Sequence, residues 1–91
     1  MRELSQTKTF KKCLKKYKHN KSVLEELKKV VDILVHERPI PAKYLDHEFT
    51  NNHKGIRELH LKPDDLLLYI KQIDRKRIVL MAIGSHSKIF N

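Results

Sequence analysis

The 91 residues, with only two glycines, three prolines and 40% hydrophobic side chains, make one domain over 1–91 with a single modest core. Twenty Lys and Arg against eleven Asp and Glu give a net charge of +9, which directs so small a chain toward polyanions or an acidic protein partner. No apolar run approaches the twenty residues of a membrane span, the lone Cys13 excludes an internal disulfide and any cysteine-based zinc motif, and with no apolar leader the expected location is the cytoplasm.

Residues 2–6 read as a short edge strand. Thr7 caps a helix that begins near Lys8 and buries Phe10, Leu14 and Tyr17 at helical spacing, with Cys13 beside them. Apart from Thr9, the rest of that helix is lysine. Residues 1–21 carry eight basic side chains and one acidic one, and Lys11, Lys12 and Lys15 suit contacts to phosphate or carboxylate. Ser22 and Glu25 form a capping-box pattern for a second helix, with Val23, Leu27, Val30 and Leu34 on its apolar face. That helix is expected to stop near Glu37, ahead of Arg38-Pro39.

Residues 39–55 form an irregular loop pinned by apolar and aromatic side chains, with Asp46 and His47 expected at its surface. Ile56–Leu61 alternates, so Ile56, Glu58 and His60 share one face and Arg57, Leu59 and Leu61 the other. Pro63, Asp64 and Asp65 make a turn into a central strand, Leu66–Ile70. A charged turn at 74–77 leads to a last apolar strand, Ile78–Ile83. The order β-α-α-β-β-β predicts an α+β domain in which two N-terminal helices pack on a small, mostly antiparallel sheet.

Chemistry concentrates in His47, His60, Asp64 and His86, which neighbouring antiparallel strands can bring together. Imidazole donates and accepts protons near neutral pH, so such a set on a basic domain suits RNA backbone cleavage. One group deprotonates the 2′-hydroxyl, another protonates the leaving 5′-oxygen, and cations stabilise the phosphate. Arg57 and nearby lysines are the candidate cations, although alternation sends Arg57 and His60 to opposite faces unless the strand twists or bulges. Each of the four also has an ordinary structural use: a hydrogen-bonded strand histidine, surface polar groups, a turn aspartate. The histidine spacings of 13 and 26 residues match no compact metal motif, so neither metal nor cofactor is expected.

The ordered pattern Asp46-His47, Lys54-Gly55-x-Arg57-Glu58-x-His60-x-x-Pro63-Asp64-x-Leu66-Leu67-x-Tyr69, then Gly84-Ser85-His86-x-x-x-Phe90, resembles the YafQ branch of the RelE-like bacterial toxins. The resemblance covers the second half of the chain; the first half agrees in character and length. It implies a microbial-RNase-like α+β fold and a metal-independent, ribosome-dependent mRNA endonuclease, the toxin of a type II toxin–antitoxin pair. It further implies a cognate antitoxin partner, with operator DNA reached only through that antitoxin. On the same resemblance His47, His60, Asp64 and His86 fall on catalytic positions, and Phe90 is a terminal aromatic suited to stacking on a base. Lys54 and Arg57 join Lys11, Lys12 and Lys15 as substrate contacts. His86, aimed from a rigid strand end past Gly84, is the expected general acid, with His47 or His60 as base. The chain departs from the pattern at Phe49, Asn51 and His53, and at Ala82, where the family commonly has Arg. That loss keeps a second class open, a non-catalytic basic module that binds nucleic acid or an antitoxin.

Overall fold

A computed structural model describes residues 1–49 and 55–89. Strand β1 (Glu3–Gln6) is followed by α1 (Lys8–Leu14), which tightens into a 3-10 turn at Lys15–Tyr17, and by α2 (Lys21–Val35). A 3-10 turn at Ala42–Tyr44 precedes the two-residue strand β2 (His47–Glu48). Then come β3 (Ile56–Lys62), β4 (Asp65–Gln72), β5 (Arg77–Ser85) and a short terminal helix, α3 (His86–Ile89).

Thr7 starts α1 as expected: its Oγ1 accepts the Phe10 N–H at 3.0 Å and donates to the Met81 carbonyl at 2.9 Å, which fixes the helix start to β5. The start of α2 differs from the expected capping box. Asn20 is the cap, its side-chain oxygen accepting the Val23 N–H at 3.2 Å, and the Ser22 hydroxyl supports Asn20 instead of capping. The helix ends at Val35, with His36 as its C-cap.

The sheet runs β1-β5-β4-β3-β2, with β1 parallel to β5 and all other neighbours antiparallel. One face is covered by α1 and α2. There Phe10, Val23, Val30 and Leu34 meet Leu59, Leu61, Leu67, Tyr69, Ile78, Leu80 and Ile83, nearly all of them fully buried. Each such aliphatic side chain contributes about 1.5–3 kcal/mol on leaving water. A register shift between Leu68 and Tyr69 sets Leu68 opposite Ala82 and Tyr69 opposite Leu80, so the apolar side of β5 changes phase at Met81 and stays on the helices.

Candidate active site

The face of the sheet turned away from the helices carries the candidate chemistry. Its cross-strand rows follow from the register. His47 lies opposite Glu58, Glu58 opposite Leu68, and Leu68 opposite Ala82. In the next row His60 lies opposite Leu66, and Leu66 opposite Gly84. Leu66 and Leu68 are buried, so these rows form a firm apolar floor between the polar groups.

At the centre of the β2–β3 end is Glu58, only 4% exposed. Its Oε1 stands 2.9 Å from His47 Nε2 and 3.8 Å from His60 Nε2, and the two imidazole rings lie 6.3 Å apart. His47 Nδ1 faces the Leu45 carbonyl at 2.6 Å. Both nitrogens of His47 therefore point at acceptors, an arrangement fully hydrogen-bonded only when the ring carries two protons. His60 differs. Its Nδ1 faces the Pro63 carbonyl at 3.4 Å, which favours the proton on that nitrogen, and 3.8 Å leaves Nε2 outside hydrogen-bond range of the carboxylate.

The segment that carries His47 is held from the opposite side of the sheet. The Asp46 carboxylate accepts from Arg57 Nη2 at 2.9 Å and Nε at 3.3 Å, and from the Tyr69 hydroxyl at 2.5 Å. Asp46 is thus largely withdrawn from the surface, not displayed on it as expected. The hydrogen bond to Asp46 pushes the Arg57 guanidinium further above its ordinary range, while burial and then Asp46 push the Tyr69 phenol upward. Leu45 takes a left-handed backbone at φ 50°, which turns the chain into this anchor. Arg57, expected at the phosphate, is therefore held by Asp46 on the face opposite His60, as strand alternation requires.

His86 and Asp64 meet at the adjoining end of the sheet. The His86 N–H donates to the Asp64 carbonyl at 3.2 Å, and the neighbouring pair Asp65 and Ser85 closes the β4–β5 ladder. Both residues are exposed. The rows put His60 two strands from Gly84, a backbone separation of about 10 Å. Lys11 and Lys12 are exposed on α1 and Lys15 on the 3-10 turn that follows, and α1 packs beside β5. Lys54 and Phe90 lie outside the described residues, as do Asn51 and His53.

A family model for the bacterial toxin of type II toxin–antitoxin systems, YafQ, matches residues 2–91. The chain belongs to the YafQ family. The mRNA interferase toxin YafQ of Escherichia coli (strain B / BL21-DE3) is 28% identical over 90 residues, 98% of this chain and 96% of that protein. Among solved structures, a metal-bound toxin from Helicobacter pylori is 40% identical, covers 99% of this chain and 100% of its own, and superposes with a TM-score of 0.90. The E. coli DinJ–YafQ complex contains a chain 27% identical over 100% of both, with a TM-score of 0.88. The α+β fold expected from the sequence is therefore the YafQ fold, and the chain is a ribonuclease toxin of a toxin–antitoxin system.

Two features of this YafQ-family face escaped the sequence. Glu58 was placed on the His60 face by alternation, but nothing in the pattern showed that its carboxylate is buried between two histidines. Lys43 and Lys62 also line, together with His60 and Pro63, a hollow of about 440 Å³ beside β3. Their cue was only proximity in sequence to Tyr44 and to the turn. Ala82 ends the row that begins at His47, so the position where the family commonly has Arg lies on this same face.

Proposed function

We propose that this toxin cleaves mRNA on the ribosome by metal-independent proton transfer, with His47, Glu58 and His60 at one end of the face and Asp64 and His86 at the other. The observation that carries it is the buried Glu58 carboxylate between two imidazoles. His60 Nε2 takes the proton of the 2′-hydroxyl, and Glu58, 3.8 Å away, stabilises the imidazolium that forms. The 2′-oxygen attacks the adjacent phosphorus, the bond from phosphorus to the 5′-oxygen breaks, and a 2′,3′-cyclic phosphate remains. His86 gives its proton to the departing 5′-oxygen. His47, with an acceptor within reach of each ring nitrogen, acts as a positioning residue that fixes Glu58.

Dependence on the ribosome follows from the cations. Arg57 is committed to Asp46, and position 82 is alanine, so among the described residues the face holds little positive charge of its own for the phosphate. Lys62 lines the hollow beside His60, while Lys43 across it is paired with Glu26 at 3.7 Å. Aligning the message on the ribosome supplies the rest through positioning, which is worth many orders of magnitude in rate.

A protein antitoxin is the expected partner, since the similar E. coli toxin is found in complex with DinJ. The exposed lysines of α1 suit an acidic segment that orders on binding, and operator DNA is reached only through it. Primer extension on programmed ribosomes, run beside naked transcript, tests the proposal. Cuts within the ribosomal A-site codon, and few on free RNA, are expected. Equal cutting of both would contradict ribosome dependence, and cutting of neither would leave a binding module.

A further inference from the structure

The histidine face does not end at Ala82. Pairing of β1 with β5 stops at Gln6 and Leu80, and Thr7 takes the Met81 carbonyl. Beyond that point the outer edge of β5 faces α1 across a cleft of about 470 Å³. Cys13, Lys16 and Tyr17 line one side; Leu68, Ala82 and Ser85 line the other. The Tyr17 hydroxyl donates to Asp65 at 2.9 Å, which fixes the ring as a wall of the cleft.

We propose that this cleft is a nucleobase subsite, which seats a base of the message next to the scissile bond; the inference rests on the mRNA-cleavage reading above. Three observations converge on an RNA nucleotide. The cleft is continuous with the candidate active site, since Glu58, Leu68 and Ala82 lie in one cross-strand row. Two strand spacings, about 10 Å, separate Glu58 from Ala82, which places the cleft a nucleotide or two along a strand lying across the sheet. Its walls are mainly apolar, as a base face requires, and the Ser85 hydroxyl and the edge of β5 offer hydrogen bonds to a base edge. Lys16 lines the cleft from the 3-10 turn that follows α1, beside the exposed Lys15, so a phosphate entering with the base meets positive charge. A methyl group at position 82 is what leaves the inner end open, and the cleft makes Ala82 and Lys16 specificity-determining residues.

The test uses the whole toxin, the Ala82→Leu variant that fills the cleft, and the Lys16→Gln variant at an exposed position. A 2′-O-methyl trinucleotide, which cannot be cleaved by 2′-hydroxyl attack, is titrated while backbone amide resonances are followed. Shifts are expected at Cys13, Lys16, Ala82 and Ser85, and A82L is expected to abolish them and K16Q to weaken binding. On programmed ribosomes each variant is expected to raise KM or change codon preference by roughly tenfold, the scale of one mismatched base contact, with the melting temperature retained. Cleavage by wild type with the same codon preference and KM in both variants would overturn the subsite and leave the enzyme assignment intact. Shifts in the cleft without any cleavage by wild type would do the reverse. Shifts there with an acidic peptide, but none with the trinucleotide, would assign the cleft to a protein partner and overturn the proposal.

Discussion

His47 Nε2 and the Glu58 carboxylate stand 2.9 Å apart across the β2–β3 ladder, an exposed imidazole resting on a buried anion. The pair joins the loop that carries His47 to the strand that carries His60. It makes Glu58 the group on which both histidines depend. Replacing Glu58 by Gln keeps the volume and removes the anion. Loss of its support for the His60 base is expected to lower single-turnover cleavage by about 100-fold, the low end of acid–base contributions. Antitoxin binding is expected to be unaffected. A folded E58Q protein that cleaves at the wild-type rate would remove Glu58 from the mechanism.

Asp46 is expected to matter first for stability. Its carboxylate accepts from both Arg57 and the buried Tyr69 hydroxyl, so Asp46→Ala leaves a cation and a hydroxyl without their partner. The cost is about 2–3 kcal/mol. For a domain of this size that corresponds to a fall of roughly 10 °C or more in Tm. Tyr69→Phe, which removes one bond of the set, is expected to cost about 1–2 kcal/mol. Thermal melts of the two variants check the order, and a D46A protein as stable as wild type would contradict the anchoring role.

The Tyr44–Glu26 pair makes stability sensitive at both pH extremes. The Tyr44 hydroxyl donates to Glu26 at 2.9 Å. Burial and then this hydrogen bond push the phenol up to about 12 from its ordinary 10.0. A raised value in the folded state gives stability that is complete below pH 10 and is lost as pH rises toward 12. For Glu26 the sign reverses. Tyr44 first, then Lys29, holds its carboxyl below the ordinary 4.5, so that contribution is complete above that value and is lost as pH falls further. Urea melts across pH are expected to show Tyr44→Phe flattening both limbs and costing about 1 kcal/mol at neutral pH. A Y44F profile parallel to wild type would show that the pair does not couple to folding.

Charge on α1 gives a prediction about neutralisation. Reversal to Glu at Lys11, Lys12 and Lys15 together is expected to slow association with the antitoxin and to remove much of its salt dependence, while dissociation changes less. Stopped-flow association at two ionic strengths reads this directly. Rates indifferent to salt and to the reversals would put antitoxin recognition elsewhere.

Much of the fold was legible because local chemistry and global structure agree. The Thr7 cap, the apolar stripe of α2, the alternation in β3 and the continuous apolar runs of β4 and β5 each have one physical reading, and each is observed. The parallel pairing of β1 with β5 was not legible: it joins Glu3 to Arg77, and a four-residue strand says nothing about so distant a partner. The cap of α2 was misassigned because Asn20 and Ser22 are both good caps, and the choice between them rests on tertiary position. In the site, residue types marked the histidines. Sequence pattern carries no burial, however, so it did not show that Glu58 is enclosed, that Asp46 ties Arg57 to Tyr69, or that Ala82 opens a cleft.

Single-turnover cleavage of message on programmed ribosomes, by wild type beside His60→Gln and His86→Gln, tests the central claim most directly. Each substitution removes one proton-transfer group at an exposed or partly exposed position. Each is expected to slow cleavage by about 100- to 10,000-fold, equivalent to roughly 3–5 kcal/mol in the transition state. Ribosome binding is expected to stay close to wild type in both variants, and so is the Tm of H86Q, since an exposed substitution usually changes stability by less than about 0.5 kcal/mol. Near-normal cleavage by folded H60Q and H86Q proteins would contradict the account, because the face would then be cutting RNA without the histidines assigned to it.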